Sequence, residues 1–126
     1  MDTSIWVEHL RTHHEALSGL LNASAVLAHP FIIGELALGQ MRQRDIVLTT
    51  LEALPRAAVA TDAEVLRLIE RQGLFGRGIG YVDAHLLAAA RLTEAALLWT
   101  RDKRFHGVAD ELGLAATPPF DDRAIA

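Results

Sequence analysis

Four carboxylates stand out as residues whose chemistry could combine: Asp2, Glu35, Asp83 and Asp102. Carboxylate oxygens are hard donors and select Mg²⁺ or Mn²⁺. One or two such ions held by four acids could activate a water and stabilise the leaving oxygen of a phosphodiester. Without a cation, four carboxylates in one pocket repel one another, and some take up protons. Each acid also has an ordinary reading. Asp83 opens an apolar helical stretch, where an Asp in the first turn complements the helix dipole. Asp102 lies in the turn-like Thr100-Arg101-Asp102-Lys103. Asp2 reads as a solvated terminal residue. Glu35 sits between Phe31-Ile32-Ile33-Gly34 and Leu36-Ala37-Leu38. A carboxylate buried among such neighbours is costly unless paired or bound to metal. All four fall at element ends or on buried-looking helices, which favours one shared site.

The elements that would position them alternate between helix and short apolar run. Ser4 caps an expected helix over residues 4–13, and residues 14–21 read as a further helical turn or two. Residues 25–28 suit a buried strand closed by His29-Pro30. Residues 31–38 read as a helix stopped near Gly39, and 41–54 as a helix ended by Pro55. Residues 57–60 suggest a strand. Thr61 and Glu64 have the spacing of a capping box, for a helix running to about Arg71 and stopping near Gly73. Residues 75–80 form a glycine-rich loop, 81–93 a helix and 95–100 a strand. A last helix over 105–112 ends at Gly113, followed by a short strand at 114–116. Strands alternating with helices imply a parallel sheet covered on both faces. In such sheets, sites form just beyond the carboxyl ends of the strands, and Asp102 follows the run 95–100.

The chain has 126 residues, 51% of them hydrophobic and 22% charged, and no cysteine. That is a globular composition of single-domain length, and it excludes disulfides, zinc–thiolate centres and thiol nucleophiles. The N-terminus lacks the basic start and apolar run of a secretory signal. The most apolar long stretch, residues 81–100, is interrupted by Asp83, His85, Arg91 and Glu94. A soluble, cytoplasmic protein without a membrane role is expected. Its net charge of −4 argues weakly against nucleic acid as a partner. Two bound divalent ions would cancel it, leaving RNA binding to local basic residues and to the ions themselves.

The motifs around the acids resemble those of PIN domains, most closely the VapC type of toxin. Asp2-Thr3-Ser4-Ile5-Trp6 is similar to the opening motif, and Gly34-Glu35-Leu36-Ala37-Leu38-Gly39 to the second. Gly78-Ile79-Gly80-Tyr81-Val82-Asp83-Ala84 is similar to the third, and Leu98-Trp99-Thr100-Arg101-Asp102-Lys103-Arg104-Phe105 to the fourth. Any one is weak, but four in family order from Asp2 to about Ala115 is specific. The resemblance implies an α/β fold, a PIN-like three-layer α/β/α arrangement with a short central parallel sheet flanked by helices. It implies one nuclease domain over residues 1–126, with 117–126 a loose tail. It also implies an endoribonuclease dependent on Mg²⁺ or Mn²⁺ that cuts structured RNA such as transfer or ribosomal RNA. A small cognate antitoxin and a homodimer belong to the same expectation. Asp2, Glu35, Asp83 and Asp102 carry over as metal ligands and catalytic acids. Thr100 matches a hydroxyl position that orients a carboxylate. The family has several apolar residues before its first Asp, whereas Met1 alone precedes Asp2 here. A longer native N-terminus carrying that strand is the matching expectation.

Other residues invite weaker readings. Arg11, Arg77, Arg101, Lys103 and Arg104 are candidates for RNA phosphate, since guanidinium suits paired oxygen contacts. Six histidines raise the idea of a transition-metal site, and His9 and His13 stand four apart, but Leu10-Arg11-Thr12 between them lacks the glutamate of a His-Glu-x-x-His metal motif. His85 follows Asp83 by two positions, about 200° round a helix, which turns it away from the acids. Gly76-Arg77-Gly78-Ile79-Gly80 lacks both the dinucleotide spacing and the Lys-Ser/Thr of a phosphate loop. Trp6 and Trp99 sit in apolar contexts and read as core. The alternative function is a PIN-fold binding or regulatory module without nuclease activity. A phosphatase of the Asp-x-Asp type is disfavoured, because Asp2-Thr3-Ser4 lacks the second acid.

Overall fold

The computed structural model describes Asp2, Ile5, Trp6, residues 26–116, and the backbone of Ala124 and Ile125. The expected second helical segment (14–21) lies outside these residues, as does most of the first helix, although Ile5 and Trp6 are helical and buried. Five helices and two short strands are described: α1 Pro30–Ala37, α2 Arg44–Glu52, α3 Asp62–Gln72, α4 Tyr81–Leu92, β1 Ala96–Leu97, α5 Lys103–Glu111 and β2 Ala124–Ile125.

Local chemistry sets most boundaries. Pro30 opens α1, and His29 caps it by accepting the Phe31 N–H at Nδ1 (3.1 Å). The capping box of α3 is complete: Thr61 Oγ1 accepts from Glu64 N at 3.2 Å, and Glu64 Oε1 accepts from Thr61 N at 3.0 Å. Gly73, at φ +60°, ends that helix in the left-handed conformation. Two helix starts differ from the sequence reading by two residues or more, and the strand expected over 95–100 is confined to 96–97. Helix α2 begins at Arg44 rather than 41, because Gln43 takes a left-handed φ of 53° that breaks any earlier turn. Helix α5 begins at Lys103 rather than 105, because Asp102 is its cap.

The pairing found is parallel. β1 runs beside β2 with Ala96 opposite Ala124 and Leu97 opposite Ile125. Single bridges join Leu98 to Ala115 and Ala28 to Arg56. The strand expected over 57–60 is not formed. The Ala58 N–H is taken by the Thr93 hydroxyl at 2.9 Å, and Val59 is exposed. Within the segment expected to be a loose tail, Ala124 and Ile125 are paired.

The core gathers Val26, Val65, Leu86, Leu87, Leu98, Phe105 and Val108, each nearly inaccessible to water. Burying each large apolar side chain contributes about 1.5–3 kcal/mol, so this set holds α3, α4, α5 and the segment just after β1 together. Residues 84–90 of α4 are all buried, which makes it the central helix of the molecule. No helix among the described residues is long and apolar enough to cross a membrane.

Candidate active site

Asp2 is half-buried and tied to the end of the β1 segment. Its backbone N–H donates to the Trp99 carbonyl at 3.0 Å. The buried Thr100 hydroxyl donates to Asp2 Oδ2 at 2.6 Å and accepts from the Asp102 N–H at 3.1 Å. One hydroxyl thus links the first acid to the backbone of the last, across 98 positions of sequence.

Asp102 is exposed and caps α5, with Oδ1 accepting from Arg104 N at 2.9 Å and from Phe105 N at 3.1 Å. Asp83 occupies the third position of α4, and its Oδ2 accepts from the Gly80 N–H at 2.9 Å. In both Asp83 and Asp102, the second carboxylate oxygen makes no hydrogen bond to a described residue. Asp83 does sit in the first turn of α4 as its sequence position implies, and its bond to Gly80 N–H adds a cap that leaves one oxygen for other chemistry. The same anchoring bonds aim the side chain.

Glu35 differs from its sequence reading. It is exposed on α1, while Ile32 and Leu36 face the core. The helix is amphipathic at this point, so no burial cost attaches to Glu35. Its importance rests on where it faces, not on what it displaces.

The electrostatics bring the four together. The Asp83 carboxyl is raised above its ordinary value, first by burial and then by the negative charges of Asp2, Asp102 and Glu35. The Gly80 N–H pulls the other way. All three other acids are therefore near enough to be felt at Asp83. Among the described residues, no three His, Cys, Asp or Glu side chains already stand close enough together to hold an ion. The donor chemistry nonetheless fits a hard divalent cation: the donors are oxygens, and their mutual repulsion is what such an ion relieves. The side chains would have to close on it.

The basic candidates divide. Arg104 lies along the loop that leads to Asp83. A Cβ on Gly78, at φ +78°, would fall 2.8 Å from Arg104 Nη1 and 2.9 Å from its Cδ, so a larger residue there would push the Arg104 side chain aside and strain the backbone. Arg77 makes a two-pronged ion pair with Glu111 at 2.9 and 3.0 Å, so its guanidinium is already engaged. Arg101 and Lys103 are exposed beside Asp102, and Arg11 lies outside the described residues. His85 is buried and turned to Asp62, with Nε2 3.2 Å from Oδ1, as its helical offset from Asp83 implies. Trp6 and Trp99 are both core residues.

Residues 1–111 match the PIN domain family. The chain belongs to that family. All four acids of this PIN domain lie within the matched region. Over 115 residues it is 49% identical to proteins named Ribonuclease VapC32 from two strains of Mycobacterium tuberculosis, CDC 1551 / Oshkosh and ATCC 25618 / H37Rv. The alignment covers 91% of this chain and 93% of each relative. No solved structure gives a significant match.

Proposed function

We propose that this PIN domain is a divalent-metal-dependent endoribonuclease that hydrolyses phosphodiester bonds of structured RNA, transfer or ribosomal. In this reading it is the toxin of a toxin–antitoxin pair. The observation that carries it is the convergence of acids on Asp83: its carboxyl, at the N-terminal turn of α4, feels the charges of Asp2, Asp102 and Glu35, and Thr100 ties Asp2 to the Asp102 backbone. The likeness to a protein named a ribonuclease supports the substrate.

Asp2, Glu35, Asp83 and Asp102 would hold one or two Mg²⁺ or Mn²⁺ ions. When bound, such an ion polarises the phosphoryl oxygen and makes water a better nucleophile. The protein's part is placement. Thr100 fixes the orientation of Asp2, and the α4 and α5 caps fix Asp83 and Asp102. Arg104, along the loop before Asp83, and Arg101 and Lys103 beside Asp102 supply positive charge for the RNA backbone. A single three-layer α/β/α domain, a small antitoxin covering the acids, a homodimer and a cytoplasmic location belong to the same proposal.

The test is purified protein incubated with total RNA, with Mg²⁺ or EDTA, beside Asp83→Asn. Cleavage should require the metal, and the variant should fold normally yet cut at least about a hundredfold more slowly. Wild-type cleavage by Asp83→Asn would remove Asp83 from the site. Absence of any metal-dependent cleavage would leave the fold as a binding module. End-mapping of cellular RNA after brief induction, with Asp102→Ala as the control, identifies the substrate.

A further inference from the structure

A groove of about 190 Å³ runs between α3 and α4, away from the acid quartet. Arg67, Arg71 and Arg91 line it, over a floor that includes Leu68 and Ala88. Arg67 and Arg71 are one helical turn apart on α3, and Arg91 is in the last turn of α4. All three are exposed, and none forms an ion pair with a described residue. By contrast, Arg77 is engaged by Glu111, and Arg44 by the Ala37 carbonyl at 2.7 and 3.1 Å. The one carboxylate lining the groove, Glu64, makes its capping bond to Thr61 N and is near enough to Arg67 to be stabilised by its charge. Three cations therefore face one anion, on a chain whose net charge is −4.

We propose that this groove is an RNA-backbone subsite, in which Arg67, Arg71 and Arg91 grip phosphates of a strand that also reaches the acid centre. The identity of the polyanion rests on the ribonuclease reading above. Like charges one turn apart on α3 repel, and an anion between them relieves that repulsion. Guanidiniums grip phosphate oxygens in pairs, and three from two helices can hold successive phosphates. Geometry links the groove to the chemistry. Helix α4 carries Asp83 in its first turn and Arg91 eight residues later, about 12 Å along the axis. Residues 84–90 between them are buried, so a strand that meets both passes over the surface beside α4. The subsite would also partly answer how an acidic protein holds a polyanion.

The test is fluorescence anisotropy with labelled bulk transfer RNA, in EDTA, over a range of salt concentrations. The full chain is compared with Arg71→Gln/Arg91→Gln and with Arg42→Gln/Arg56→Gln, which makes the same charge change outside the groove. The groove variant should bind about tenfold more weakly, and its log K against log salt slope should fall by about two. The control should change far less. In Mg²⁺, the groove variant should raise KM for transfer RNA with kcat retained, and should leave KM for an oligonucleotide too short to span α4 unchanged. Equal loss in both double variants would mean only that net charge matters, and would overturn the proposal. So would unchanged binding by the groove variant, absence of RNA binding by the wild type, or tighter groove-dependent binding of poly-glutamate than of RNA. Because binding is read in EDTA, a protein that binds through the groove without cutting would sink the ribonuclease reading and leave the subsite standing.

Discussion

Thr100 touches both ends of the acid set, as donor to Asp2 and acceptor from the Asp102 backbone. Removing it leaves a part-buried N–H without this acceptor and the Asp2 carboxylate without this donor, a cost of about 1 kcal/mol. Thr100→Val should therefore lower stability by that order in urea unfolding. It should also weaken Mg²⁺ binding about ten- to a hundredfold, as loss of a ligand-orienting partner commonly does. Thr100→Ser keeps the hydroxyl and should retain most of both. A valine variant with wild-type metal affinity would show that Asp2 is held by other means. At this scale the four acids that the motif pattern picks out are close enough for three of them to act on the charge of Asp83, but the burial argument for Glu35 failed. Apolar neighbours in sequence do not fix a side chain's face, because one helix turn puts Leu36 inward and Glu35 outward.

Capping governs how the elements reach the site. The α3 box was legible because Thr61 and Glu64 carry its full sequence signature, and Thr61→Ala should cost about 1 kcal/mol in thermal or urea unfolding. The Asp102 cap was harder to see, because the same residue was also read as a ligand and a turn former. The strands were the least legible elements. Two-residue pairings and single bridges leave almost no alternation to detect, and a side chain such as Thr93 can divert a backbone N–H from a ladder. The loop before α4 tests a different dependence. Gly78→Ala would place a methyl against Arg104 in a left-handed backbone, costing about 1–2 kcal/mol. It should also slow cleavage several-fold by displacing Arg104, whereas Gly76→Ala, with open space at its Cβ, should carry the backbone strain alone.

Across the whole molecule, acid sensitivity has an identifiable source. His29 is buried, and its pKa is lowered from 6.5 to about 4, first by burial and then by the nearby charge of His85. Its Nδ1 accepts the Phe31 N–H, so the neutral ring carries its proton on Nε2, which is buried without a hydrogen-bond partner among the described residues. A second proton would have to go to Nδ1 and would break the α1 cap. The unfolded chain binds that proton near pH 6.5 and the folded chain only near pH 4. Stability is therefore lost progressively as pH falls through that window and levels off below it, by on the order of 3 kcal/mol at most. His29→Asn keeps a capping oxygen and removes the titration. Urea midpoints measured from pH 7 down to 4.5 should fall less steeply for the variant, and parallel curves would clear His29 of the effect.

The chain has two tryptophans, Trp6 and Trp99. Trp99 is in the core, yet its carbonyl holds the backbone of Asp2 and it directly precedes Thr100. Its indole is therefore an optical gauge built into the scaffold of the acid centre. With Trp6 replaced by phenylalanine, Trp99 emission becomes a single-channel readout of cation loading. Ion binding can then be timed and titrated on unlabelled protein, separately from any cut made in RNA.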